Sequence, residues 1–127
     1  MSTNSAKLRV VDGDSINYGR HHFRLCGIQA PERQMFYYHQ ATNLLRGFIE
    51  RGRLTAHVVD TDKYGRKVAV FYANNNRESV NEKMVKAGGA KHYKRFSQNC
   101  NKFISPRLFD ILEKRARRGR LGLWRRH

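Results

Sequence analysis

Four short runs rich in β-branched and aromatic residues, each closed by turn residues, limit what this chain can fold into. KLRVVDGDSINYG and HHFRLCGI fill most of the first thirty positions, and RLTAHVVDTD and KVAVFYA come later. Val, Ile, Phe and Tyr suit a pleated, half-buried surface, whereas Gly, Asp and Asn interrupt it. Tyr18-Gly19-Arg20 reads as a hairpin turn, and DKYGR, with Gly65 placed for positive φ, as a second. Between the two pairs of runs a helix is predicted from about Met35 to Glu50. Its Ala41, Leu44, Leu45, Phe48 and Ile49 recur at three- and four-residue spacing, and Gly52 stops it. A short helix begins near Ser79, where Ser79 and Glu82 form an S-x-x-E capping box, and ends at Gly88. A last helix starts at Ser105 with Pro106 in its first turn. Leu108, Ile111, Leu112 and Ala116 are its expected buried stripe, and Gly119 closes it. Strands interrupted by one helix and followed by two make a small α+β domain. A closed or nearly closed barrel is its natural form, because closure removes exposed strand edges.

Charge narrows the partner. Lys and Arg number 26 against 10 acids in 127 residues, a net charge of +16. The field of such a surface selects a polyanion: DNA, RNA or an anionic membrane. The C-terminal RARRGRLGLWRRH is the densest basic run, but the apolar residues of the final helix are needed for the core. Nucleic acid is therefore preferred to membrane. No run is long or apolar enough to span a bilayer. MSTNSAKLRVV lacks the apolar segment of a secretory signal, so the chain is read as intracellular or as a mature form without its leader. Cys26 and Cys100 make neither a disulfide framework nor a metal cluster; they read as one buried and one loop thiol. The dispersed histidines, among them His92, read as surface or interfacial groups. Phe36, Tyr37 and Tyr38 read mainly as core, with base stacking the secondary reading.

Three clusters at strand ends or turns hold the candidate chemistry: Asp12-Gly13-Asp14-Ser15, Arg24 to Glu32, and Asp62-Lys63-Tyr64-Gly65-Arg66. Phosphodiester hydrolysis needs oxygen donors for a hard cation, forked donors for the phosphate oxygens, and a base for water. Asp12 and Asp14 supply the first, Arg24 and Arg66 the second, and Glu32 the third. Singly, each has a plain reading: D-x-D is common in turns, and two arginines among many are ordinary.

Taken in order, DGDS, FRLCGIQAPE, TDKYGRKVAVFY, VNEKMVKAGGAKHY and GLW resemble the staphylococcal nuclease (thermonuclease) family from about Lys7 to Trp124. The resemblance implies one OB-fold domain spanning 1–127, a five-stranded barrel with three helices. It implies calcium-dependent cleavage of DNA and RNA with a 5′-oxygen leaving group and 3′-phosphate products, by a protein read as a monomer. It makes Asp14 a metal ligand and Arg24 and Arg66 the phosphate clamp. Glu32 is then the general base, and Asp62, Lys63, Tyr64 and Tyr93 contact the nucleotide. Ala30 offers a backbone carbonyl to the metal. The departure is Gln29, where the family usually has an aspartate ligand; an amide oxygen can ligate but carries no charge. Three outcomes stay open: a weak site filled with substrate, a different ion such as magnesium, or an empty site in a nucleic-acid-binding module.

Overall fold

The structure, a computed structural model, describes residues 8–49 and 52–126. Lys7 and Glu50, expected at the edges of the first strand and first helix, lie outside the described residues. β1 (Leu8–Asp12), β2 (Ser15–Tyr18) and β3 (His21–Leu25) form an antiparallel meander, with Val10 opposite Ile16 and Ser15 opposite Arg24. β5 (Leu54–Thr61) and β6 (Lys67–Ala73) form a hairpin whose turn holds Gly65 at φ 84°, as its sequence predicts. β6 then pairs parallel to β3, with Arg24 opposite Val68. The strand order is β1-β2-β3-β6-β5, a five-stranded mixed sheet. Two short strands, β4 (Ile28–Gln29) and β7 (Lys91–His92), make a separate antiparallel pair.

Three helices cover the sheet: α1 (Tyr38–Ile49), α2 (Val80–Lys86) and α3 (Pro106–Arg118). This is the expected α+β plan of five strands and three helices. α1 starts later than predicted, because residues 33–37 form turns in which Gln34 and Tyr37 have positive φ. Both caps read from the sequence are present. The Ser79 hydroxyl accepts from the Glu82 amide while the Glu82 carboxylate accepts from that of Ser79, and Ser105 accepts from Leu108.

The core joins Ile16, Leu25, Ile28, Leu45, Val70 and Phe109. The stripe predicted for α3 is corrected here. Phe109, Leu112 and Ala116 are buried, whereas Ile111 is 38% exposed and Leu108 only half-buried. Phe109 is drawn inward because Gly27 leaves room for its ring; a Cβ on Gly27 would stand 2.6 Å from Phe109 Cε2. One buried polar side chain stitches the layers. Asn81 of α2 accepts from the Phe71 amide and donates to the Cys26 and Ala69 carbonyls.

The reading of two separate thiols is also corrected. Cys26 and Cys100 form a disulfide across 74 positions, with Cα atoms 6.0 Å apart. It ties the β3–β4 turn to a 3-10 turn at Ser97–Cys100. A second tie runs parallel to it: the His92 amide donates to Glu113 and His92 Nδ1 lies 2.8 Å from Asp110 Oδ1, both on α3. A loop of that length predicts about 4 kcal/mol of stabilisation from the unfolded-state entropy removed by the bond. Urea unfolding of oxidised protein against Cys26→Ala/Cys100→Ala should show a loss of that order, with reductant lowering wild type to the variant's level. Equal stability would contradict the bond's role.

Candidate active site

The DGDS turn, the end of β3 and the start of the β4 loop meet at one buried carboxylate. Asp14 is 8% exposed. Its Oδ2 accepts from the Ala30 amide at 2.8 Å and stands 3.0 Å from Arg24 Nη1; its Oδ1 accepts from Ser15 Oγ at 3.1 Å. The turn packs this tightly because residue 13 has no side chain: a Cβ on Gly13 would lie 2.6 Å from that of Ala30. Asp12 Oδ1 accepts from the Asp14 amide, a local Asx bond. Burial and the neighbouring Asp14 charge push the Asp12 carboxyl up to about 6. Two crowded carboxylates in this state attract positive charge.

Arg24 is held at several points. Its Nη2 donates to the Ile28 carbonyl at 2.9 Å, and its Cζ lies 5.5 Å from the centre of the Tyr93 ring. Tyr93 is anchored by its own amide on the Gly27 carbonyl and packs edge-on to Phe96. β4 places Gln29 opposite Lys91, and Ala30 follows. Glu32 lies in the exposed loop beyond and shares with Gln29 and Ala30 the wall of a pocket of about 190 Å³.

The second cluster is organised by Asp62. Its Oδ1 accepts from the Tyr64 and Arg66 amides and its Oδ2 from Arg66 Nε at 2.8 Å. Tyr64 is exposed, with Lys63 and Arg66 against its ring. The β3–β6 ladder brings this cluster near the first: Arg24 pairs with Val68, and Arg66 lies in the turn that leads into β6.

The structure thus gathers Asp14, Arg24, Gln29, Ala30 and Tyr93 at one place, with Glu32 on the adjoining pocket; the Asp62–Arg66 turn is a separate cluster that leads into β6. The sequence reading missed Lys91, whose two-residue strand carries no periodicity, and the role of His92. His92 is no surface histidine; its side chain is buried between Asp110 and Ser97, with Nε2 2.7 Å from Ser97 Oγ. The order acid, imidazole, hydroxyl matches a hydrolytic triad, but Ser97 is 1% exposed, so no substrate reaches its Oγ. This chain is an internal tie. It holds the Asp110 carboxyl below its usual range through the His92 hydrogen bond, against an opposing effect of desolvation.

Asp12, Asp14, the Gln29 side chain and the Ala30 carbonyl offer oxygen donors, the chemistry that a hard divalent cation takes. Among the described residues, no three His, Cys, Asp or Glu side chains come together as a metal cluster. The set is therefore poorer in charge than one with a third carboxylate, and Gln29 is the reason.

A mixed five-stranded sheet with three helices, carrying a buried carboxylate–arginine pair at its strand ends, defines a small α+β domain of OB-like plan. The comparisons make this specific: residues 22–126 match the model of the "Staphylococcal nuclease homologue" family. The chain belongs to that family. It is 36% identical over 112 residues to "Probable staphylococcal-like nuclease CAN1" of Oryza sativa subsp. japonica, covering 88% of this chain and 31% of the rice protein. It is 34% identical over 122 residues to "Uncharacterized 38.1 kDa protein" of Capnoides sempervirens, covering 94% and 33% of the two chains. It is 29% identical over 121 residues to "Uncharacterized endonuclease" of Escherichia coli O157:H7, covering 92% and 74%. The chain therefore spans about a third of the two plant proteins' length and about three quarters of the bacterial one. The family match begins at His22, after Asp12 and Asp14.

The Asp62 turn yields a pH prediction. Burial alone would raise the Asp62 carboxyl, but hydrogen bonds from the Arg66 backbone and side chain and from the Tyr64 backbone, with the Arg66 charge, hold it below its usual value. A carboxyl lowered in the folded state stabilises fully above the unfolded pKa of about 3.9 and loses that contribution as pH falls through the folded value. The stability gap between wild type and Asp62→Asn should be flat from about pH 5 to 8 and should shrink below about pH 4. Thermal unfolding across this range measures it; a gap that widens in acid would contradict the assignment.

Proposed function

We propose that this chain is a metal-dependent nuclease that hydrolyses phosphodiester bonds of DNA or RNA with little sequence preference, leaving 3′-phosphate ends. The observation that carries this is the meeting of the buried Asp14 carboxylate with the Arg24 guanidinium and the Ala30 amide, beside Gln29 on β4. A folded domain with a net charge of +16 adds the long-range attraction for the backbone.

Arg24 and Arg66 present forked donors to the non-bridging phosphate oxygens, where charge builds in the transition state. Ile28 and Asp14 pre-orient the first guanidinium, and Asp62 the second, so little ordering is left for the substrate to impose. Glu32 takes a proton from the attacking water. The water oxygen bonds to phosphorus, the bond to the 5′-oxygen breaks, and that oxygen takes up a proton from solvent. Asp12, Asp14, Gln29 and Ala30 would hold a hard divalent cation, which when bound supplies positive charge beside the phosphate. Calcium is the first ion to test, with magnesium the alternative that the uncharged Gln29 raises. The wet, exposed position of Glu32 leaves its carboxylate open to water. The disulfide supports an oxidising compartment for the folded protein. Among the described residues no helix is long and apolar enough to cross a membrane. The second reading, a nucleic-acid-binding module without cleavage, draws its support from Gln29 alone.

Cleavage of denatured DNA in chelator, calcium or magnesium tests the proposal. Wild type should cut only with metal, and Glu32→Gln and Arg66→Ala should each lose on the order of 100-fold or more in kcat. Tight binding without cleavage under every condition would establish the second reading instead. Gln29→Asp restores a charged ligand and should lower the metal concentration for half-maximal activity by roughly tenfold, an electrostatic gain of about 1.4 kcal/mol. An unchanged metal titration would remove Gln29 from the donor set.

A further inference from the structure

The pocket beside Glu32 is not used by the chemistry above, yet it shares three residues with it. Its wall is Gln29, Ala30 and Glu32 on the side of the phosphate site, then Met35, Phe36 and Leu123 as the apolar floor. Lys91 and Pro31 complete the rim. Its volume is about 190 Å³. Pockets for drug-sized ligands run from roughly 300 to 1,000 Å³, so this one suits a single planar ring system.

Two cations sit on aromatic faces around it. Arg126 Cζ lies 4.1 Å from the centre of the Phe36 ring, and Lys91 Nζ lies 5.9 Å from that of Trp124. An exposed arginine plane over an aromatic ring is the pairing that stacks on nucleobases, and the two positive groups can meet the phosphates on either side of one.

Its place on the fold sets it at the other end of a short ladder from Arg24. β4 and β7 form a two-rung ladder, with Ile28 opposite His92 and Gln29 opposite Lys91, and the Tyr93 amide on the Gly27 carbonyl beyond. Strand alternation puts Lys91 and Tyr93 on one face, roughly 7 Å apart along the chain, while His92 turns inward. Tyr93 lies against Arg24 at one end of this ladder, and the pocket opens at the other. The scissile phosphate belongs between them. We propose that this pocket is a nucleoside subsite, taking the base on the side of the scissile bond opposite Tyr93. This inference rests on the nuclease reading of the adjoining site.

The test uses single-stranded oligonucleotides with one cleavable bond and an abasic residue placed immediately 5′ or 3′ of it. The proteins are wild type and Phe36→Leu, which keeps an apolar side chain and loses the ring. On one of the two sides, base removal should lower wild-type kcat/KM by roughly tenfold, the scale of one stacking contact. In Phe36→Leu that same penalty should shrink to near unity, while the penalty on the other side persists. Equal penalties in both proteins, or none on either side in wild type, would overturn the subsite. If wild type cuts no oligonucleotide, the nuclease reading fails separately. Fluorescence anisotropy with the same oligonucleotides then decides the subsite: a base-dependent loss of affinity confined to wild type upholds it, and its absence overturns it.

Discussion

The structure depends on how one buried carboxylate is given its partners. Asp14 takes an amide from Ala30, a guanidinium from Arg24 and a hydroxyl from Ser15. Isolated, an ionised carboxylate in such a place would cost several kcal/mol or change its protonation. With these partners it becomes the point where the β1–β2 turn, the end of β3 and the β4 loop are fixed to one another. The same carboxylate is the one that a cation would share. In the proposed function, structural order and chemistry would therefore compete for one group, since Arg24 is held by the same acid that a cation would share.

Two further ties explain why so short a ladder as β4–β7 can present Gln29 and Ala30 at a fixed place. Two rungs of pairing are marginal on their own. The disulfide anchors Cys26 just before β4, and the His92 bonds to Glu113 and Asp110 anchor β7 to α3. His92 Nδ1 faces a carboxylate, an acceptor when ionised, so that nitrogen carries the proton and the tie has a direction. Gly27 admits the Phe109 ring against the same segment, and His92 stacks on that ring with centres 5.1 Å apart. The site is thus carried on elements whose own packing locks them, which suits a reaction needing donors already in place.

Local chemistry was legible in the sequence and distant pairing was not. The Ser79–Glu82 capping box, the Ser105 cap and the Gly65 turn each need only neighbours a few residues away, and each is present. The order of DGDS, FRLCGIQAPE and DKYGR raised the expectation of one phosphate site; the structure brings Asp14, Arg24 and Ala30 into contact, while DKYGR forms its own Asp62–Arg66 turn. The Cys26–Cys100 bond spans 74 positions, so spacing carried no trace of it. On α3, the choice of Ile111 over Phe109 was an error of helix phase. It was settled by the space at Gly27, which only the folded chain shows. The places of Lys91 and His92 stayed hidden because a two-residue strand has no period to detect, and His92 was read as a surface or interfacial group. Asn81 was invisible for a related reason: its amide is buried by satisfying groups on two other segments, β6 and the turn after β3, both at least ten positions away in sequence.

The most direct test of the central claim is a crystal structure of the protein with calcium and a single-stranded oligonucleotide whose backbone resists hydrolysis. The account predicts an ion on the Asp14 carboxylate with oxygen donors from Gln29 and Ala30. It also predicts one phosphate bridging Arg24 and Arg66, with Glu32 facing it from the loop. Nucleic acid bound on another face, with Asp14 engaged only by Arg24, Ser15 and Ala30, would contradict it.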